Sequence, residues 1–237
     1  EARSRVSSVS VTSTRVQPKR GLEDRPLLND HRVALRMAIG LWVFGNLLFV
    51  ALAVPALADI VQDVDDAVHR AVVEAEWSPL VGLARVLDFI GSTWVTAPIM
   101  VLVAAYLAWR TRWEALISWV AAMAASQLLI GPVKEIYERV RPPLPLVETS
   151  GFSFPSGHSV AGAAIAVALV IVLVPAGPKR RNLEMLAAAF AVTMAMSRVY
   201  LRAHWLSDVA AGVALGAAVA VAAAAIVHWA DERTHRA

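Results

Sequence analysis

The sequence predicts an all-α, polytopic membrane protein: a bundle of six transmembrane helices with an extracytoplasmic amphipathic helix. Three observations carry this. The 237-residue chain is 58% hydrophobic with a mean hydropathy of +0.58, too apolar for an ordinary soluble domain. Six runs lack Asp, Glu, Lys and Arg: Met37–Ala58, Phe89–Trp109, Ala115–Val133, Ser159–Pro178, Met185–Ser197 and Val209–Ala230. Five of them hold 19 to 22 residues, which matches the roughly 20 that a helix needs to cross a bilayer. Finally, Lys and Arg crowd alternate connections between the runs.

Residues 1–32 precede the first run. They are rich in Ser, Thr and Arg and show no apolar period. They are expected to form a flexible, basic cytoplasmic arm, and they lack the compact apolar core of a signal peptide. Residues 33–237 are then the membrane domain.

Between the first two runs, Asp59–Trp77 is acidic. Its apolar residues Ile60, Val64, Val68, Val72 and Ala75 recur at roughly helical spacing, which predicts an amphipathic helix on the outer surface. Asp63, Asp65, Asp66 and His69 read as its solvated face rather than as a metal site.

The fifth run holds only 13 residues. At about 1.5 Å per residue it falls short of a bilayer core of roughly 30 Å. To span, its helix must carry Arg198 into or near the membrane. An arginine there faces a protein interior or snorkels to the interface.

Fifteen of the 22 basic residues fall on one side: eight up to Arg36, then Arg110, Arg112, Lys179, Arg180, Arg181, Arg233 and Arg236. The positive-inside rule makes that side cytoplasmic, both termini included. Trp109 and Trp113 flank one inner loop, and Trp205 and Trp229 bracket the last run, as interfacial aromatics do.

Three polar clusters stand at run ends. The first, Lys134 to Arg141-Pro142, follows the third run. The second, Pro155-Ser156-Gly157-His158, opens the fourth. The third, Ser197-Arg198 to His204 and Asp208, joins the fifth and sixth. The first two share one loop, and two runs separate the second from the third. Parity therefore puts all three on the extracytoplasmic face.

Lys134, Arg141 and Arg198 supply fixed positive charge suited to phosphate oxygens. The residues after Pro155-Ser156-Gly157 start a helix whose free N–H groups favour an anion. His204 and Asp208 are four apart and share a helical face. The carboxylate can hold one imidazole nitrogen protonated and leave the other as a nucleophile or base. His158 remains as a general acid. One neutral and one protonated histidine predict a bell-shaped pH profile. Three cations beside two histidines suit no divalent metal. With no cysteine in the chain, thiolate chemistry and disulfides are excluded.

Lys-x6-Arg-Pro, Pro-Ser-Gly-His and Ser-Arg-x5-His-x3-Asp, in this order, resemble the three signature motifs of the type 2 phosphatidic acid phosphatase superfamily. The resemblance extends from about Leu35 to Trp229. It implies that His204 attacks phosphorus to form a phosphohistidine, that Asp208 orients it, and that His158 protonates the leaving group. It implies that Lys134, Arg141, Ser156, the Gly157 backbone and Arg198 hold the phosphate, with no metal or other cofactor. A lipid phosphate substrate in a bacterial plasma membrane is then expected, with membrane lipids as surroundings and no nucleic-acid partner. The Pro142–Phe154 loop is too short for a headgroup-recognition domain. Undecaprenyl diphosphate, phosphatidate and phosphatidylglycerol phosphate are the substrates the family offers. A lipid phosphotransferase would use the same residues, and an anion-binding or transport protein would keep the cluster without turnover.

Outside the motifs, Glu135 and Arg139 are one helical turn apart and predict a surface ion pair of small value. Arg202 is open between a lipid headgroup contact and plain solvation. Gly212 and Gly216 predict close helix packing within the bundle rather than a dimer seam. His31, His228 and His235 fall on the cytoplasmic side with no assigned role.

Overall fold

The structure, a computed structural model, describes residues 27, 28 and 30–234. Most of the expected N-terminal arm, and His235, lie outside the described residues. Among the described residues eight helices follow one another: α1 (His31–Ala53), α2 (Pro55–Glu74), α3 (Ser78–Gly91), α4 (Thr93–Trp109), α5 (Trp113–Tyr137), α6 (Gly157–Leu173), α7 (Pro178–Tyr200) and α8 (Leu206–Thr234).

Local chemistry explains most boundaries. The Asp30 side chain caps α1, accepting from the N–H groups of Arg32 (2.8 Å) and Val33 (3.3 Å). Pro55, Pro79 and Pro178 sit in first turns, where the missing N–H does no harm. Glu138 closes α5 in the left-handed region at φ 43°. Ser156 caps α6, its Oγ accepting from Ser159 N–H at 3.4 Å.

Among the described residues, α1, α5, α7 and α8 are long and apolar enough to cross a membrane. The expected second span is a broken pair, α3 and α4, bent by 44° at Ser92. The expected fourth span, α6, has only 17 residues. It runs through the middle of the bundle with most of its length buried. The count of six is therefore approximate: four full helices, one broken pair and one short central helix. The 13-residue run did extend as its length required. It became the 23-residue α7, with Arg198 in its last turn.

Helix α8 is the axis of the bundle, packing against α1, α5, α6 and α7. Its small residues make this possible. A Cβ on Gly216 would lie 2.2 Å from the Val160 carbonyl oxygen of α6, and one on Gly212 would lie 2.8 Å from Ser159 Cβ. The Gly-x3-Gly pair is thus used inside the bundle, against α6, as expected. Outward faces carry Trp42, Phe44, Leu47, Val101, Leu102 and Leu128, all exposed apolar side chains suited to lipid.

Helix α2 follows α1 directly, and its inward face differs from the expected stripe. Ile60 and Val64 are exposed, while Val68 and Val72 pack against Ala195, Val199 and Val209. Asp65, expected to be solvated, is 2% exposed. It shares the inward face with Val61, Val68 and Val72, one or two turns away. His69 stands edge-on to Trp205, ring centroids 5.7 Å apart. Trp205 is itself buried and donates from Nε1 to the Val140 carbonyl (2.8 Å), so it is no interfacial anchor. Trp109, Trp113 and Trp229 are exposed as expected. Leu27 and Leu28 are buried against the bundle, and the Leu27 carbonyl accepts from Arg180 Nη1.

Candidate active site

The three motif clusters meet at one end of the bundle. His204 lies in the tight turn between α7 and α8 and is 3% exposed. Its backbone N–H donates to the Arg198 carbonyl (3.3 Å). Its Nδ1 is 3.5 Å from Asp208 Oδ2, and its Nε2 is 3.2 Å from Arg141 Nη1. A guanidinium only donates, so this contact requires a lone pair on Nε2. The ring proton then belongs on Nδ1, facing Asp208. Burial holds the imidazole well below its ordinary range, at about 4; Asp208 opposes the shift, and Arg141 and Arg198 add to it. His204 is thus neutral with Nε2 unprotonated, the protonation state a nucleophile needs.

Asp208 is fully buried, in the first turn of α8. Its Oδ2 reaches back to the Trp205 N–H (2.9 Å), as the last residue of a capping box does. Its Oδ1 accepts from Arg139 Nη1 (2.7 Å). Its carbonyl accepts from Ser156 N–H (3.2 Å), which ties the second cluster to the third.

Arg141 is fixed by backbone. Nε donates to Gly151 O (2.9 Å), Nη1 to Ala203 O (2.7 Å) and Nη2 to Ser150 O (2.7 Å). Lys134, in the last turn of α5, donates to Phe152 O, which Arg141 Nη2 also approaches (3.3 Å). The loop that supplies these carbonyls is pinned at Phe154, whose ring meets Phe49 of α1 (4.8 Å) and Tyr137 of α5 (5.0 Å). These contacts hold the two cations beside His204, and an arriving anion would exchange with the carbonyls for their donors.

His158 is the second residue of α6, and Arg198 lies across from it on α7. Both reach the same oxygen of Asp88, on α3. His158 Nε2 is 3.2 Å from Oδ1, and Arg198 Nη1 donates to it. Arg198 is 4% exposed, so it faces the protein interior rather than snorkelling. Gly91, one turn after Asp88, lets the His158 ring approach: a Cβ there would lie 2.6 Å from His158 Cδ2.

Seven of the eight sequence-predicted site residues therefore join one contact network, and Gly157 sits between two of them, Ser156 and His158, in the first turn of α6. Three further residues belong to it. Arg139, expected to pair with Glu135 on the surface, bridges buried groups instead. Nη1 donates to Asp208 Oδ1 and to Ser207 Oγ (2.6 Å), and Nη2 donates to Asp65 Oδ2 (2.7 Å) and Gln62 Oε1 (2.8 Å). The helix ends at Tyr137, so Arg139 is no longer one helical turn from Glu135. Asp65 also accepts from the Ser207 N–H (2.9 Å). Asp88 is the third. Its signal was an ionisable residue bordering the apolar run Phe89–Trp109. Arg202 is buried and donates to Glu76, which settles it as a structural pair.

Comparison with known proteins shows the family. The PAP2 superfamily profile matches residues 115–232. The chain is 32% identical over 176 residues to phosphatidylglycerophosphatase B of Bacillus subtilis (strain 168), covering 72% of this chain and 86% of that protein. It is 31% identical over 153 residues to decaprenylphosphoryl-5-phosphoribose phosphatase of Mycobacterium tuberculosis (strain ATCC 25618 / H37Rv), covering 59% and 76%. Among solved structures, a transmembrane PAP2-type phosphatidylglycerolphosphate phosphatase from Bacillus subtilis superposes with a TM-score of 0.69 at 31% identity, covering 83% of this chain and 96% of that one. Aquifex aeolicus LpxE shares the fold, with a TM-score of 0.54 at 20% identity over 65% of this chain and 91% of that one. The motifs, the helical bundle and these similarities converge: the chain belongs to the PAP2 superfamily and is a multi-pass membrane phosphatase.

Proposed function

We propose that this protein hydrolyses a lipid phosphate or diphosphate at the extracytoplasmic membrane face, through a phosphohistidine on His204. The observation that carries this reading is the neutral His204 imidazole, with Asp208 behind Nδ1 and Arg141 beside Nε2.

The phosphate group enters among Lys134, Arg141, Arg198, the Ser156 hydroxyl and the Gly157 N–H, which meet the charge of the in-line transfer state. The Nε2 lone pair attacks phosphorus, and the bond to the leaving oxygen breaks. His158 gives that oxygen a proton. Asp208 stabilises the positive charge that develops on His204. A water then attacks the phosphohistidine, yields its proton to His158, and inorganic phosphate leaves.

The lipid nature of the substrate is supported by the apolar rim. Phe89 and Trp94 are exposed on either side of the α3–α4 break, and Ile136, Val140 and Leu144 are exposed at and just after the outer end of α5. A headgroup can reach the cations while its tail stays in lipid. The relatives' names favour phosphatidylglycerol phosphate among the three substrates already expected and add a decaprenyl-linked phosphosugar to them. Sidedness rests on charge: Arg110, Arg112 and Arg233 lie at the helix ends opposite Lys134 and Asp208.

The deciding experiment measures phosphate release by purified protein in detergent with excess chelator. Phosphatidate, phosphatidylglycerol phosphate and a polyprenyl diphosphate are offered side by side, with His204→Ala as control. Release lost in the variant is expected; release that survives it overturns the mechanism.

A further inference from the structure

At the opposite end of the bundle, three helices bring two histidines and two glutamates together. His31 opens α1, Glu114 stands in the first turn of α5, and His228 and Glu232 lie four apart near the end of α8. His228 is 7% exposed. Its Nδ1 is 3.2 Å from Glu114 Oε1 and its Nε2 is 3.4 Å from Glu232 Oε1. His31 Nδ1 is 3.6 Å from Glu232 Oε2. One ligand atom each from His31, His228 and Glu232 lies within 4.8 Å of the other two.

Ligands about 2.0–2.1 Å from a tetrahedral metal stand about 3.3–3.4 Å apart. Glu232 meets each histidine near that spacing, Oε1 facing His228 Nε2 and Oε2 facing His31 Nδ1, so its two oxygens bracket the position between the rings. The chemistry of the set also fits. Two imidazoles and one carboxylate with a place left for water form a known ligand set for zinc-like ions. Glu114 completes the pattern as the carboxylate behind a ligating imidazole, fixing the His228 ring so that Nε2 faces the other two. Charge favours a cation too. Glu114 and Glu232 both contact His228, Asp231 adds negative charge near Glu114, and Arg112 stands nearby as a countercharge to Glu114.

From this geometry we infer a binding site for a zinc-like divalent cation, with His31 Nδ1, His228 Nε2 and Glu232 as ligands and Glu114 as support. The site is remote from the phosphatase centre. From Asp208 to Glu232 along α8 is about 36 Å at 1.5 Å per residue. Its role is to clasp α1 to α8, and to α5 through Glu114, not to take part in phosphoryl transfer.

The test is a Co²⁺ titration of the full chain, purified in detergent without a polyhistidine tag and stripped of metal. The readout is ligand-field absorption, followed by competition with Zn²⁺. One tetrahedral site per chain is expected, displaced by Zn²⁺. Binding should be lost in His31→Gln and His228→Ala and weakened by about 10–100-fold in Glu114→Gln. It should be unchanged in His204→Ala, the active-site histidine serving as a decoy. Thermal unfolding with and without Zn²⁺ gives a second readout, a rise in Tm present in the parent and absent in His31→Gln. His31 is at a helix start, so that variant keeps the proposal testable if His228→Ala fails to fold. An absent tetrahedral band, a band that survives in His31→Gln, or one lost in His204→Ala would overturn the proposal.

Discussion

Arg139 and Asp208 form a buried ion pair, Nη1 to Oδ1 at 2.7 Å, with side chains 11% and 0% exposed. Its other guanidinium nitrogen holds Asp65 of α2 at 2.7 Å. The carboxylate behind the candidate nucleophile is therefore clamped to a helix that carries none of the motif residues.

Removing that clamp leaves two carboxylates buried without their partner. Arg139→Ala is expected to cost about 3–5 kcal/mol of stability, together with most of the activity. Asp65→Asn should be milder, because Arg139 keeps Asp208. Thermal melts and turnover of the two variants and their double mutant check this. Additive effects would show that Asp65 and Arg139 do not act as one unit.

His204→Ala should abolish turnover; a loss below about tenfold would exclude a nucleophilic role. The pH dependence has a definite sign. His204 titrates at about 4, below its ordinary 6.5. Activity that needs the neutral ring should persist below pH 6.5 and fall only as pH drops through about 4. The same shift acts on stability. Below pH 6.5 the unfolded chain takes up a proton that the folded chain refuses, so this group's contribution is intact above 6.5 and declines down to about 4. Asp208 works against the depression, so Asp208→Asn should move the acid limb to still lower pH while reducing kcat. An unmoved limb in Asp208→Asn would detach the carboxylate from His204.

His158→Ala should lower turnover by roughly 10²–10⁴-fold. The loss should shrink for substrates with good leaving groups. Asp88 holds both His158 and Arg198, so Asp88→Asn should lower kcat/KM on its own. In the His158→Ala background it should do less, with a coupling of about 0.5–3 kcal/mol. Full additivity would leave Asp88 as a bystander.

Gly216→Ala places a Cβ 2.2 Å from the Val160 backbone oxygen. No flexible side chain can yield there, so α6 and α8 must separate. The expected cost is about 1–3 kcal/mol. Activity should fall with it, because the same helix pair sets the Ser156–Asp208 contact. An unchanged Tm would mean that the two helices are less closely packed than this.

What the sequence by itself determined is what short stretches encode. Apolar runs marked the helices because a bilayer imposes length and composition on any segment that crosses it. The motif residues of the site were legible because each cluster carries its chemistry within a few positions. The expected contact of His204 with Asp208 needed only helical spacing. Tertiary structure decided the partners of polar residues that lie far apart in the chain. Asp65 and Arg139 look like ordinary surface charges in local context, and Asp88 shows only that it borders an apolar run. They are buried or shared because α2 and α3 dock beside the motif loops, and docking depends on shape that no single stretch contains. The break between α3 and α4 and the shortness of α6 have the same origin. Packing against neighbouring helices decides where a helix bends or ends when local propensity leaves several choices open. The Gly212–Gly216 pair marks the boundary between the two. Small residues announced a close contact, and only the fold assigned that contact to α6.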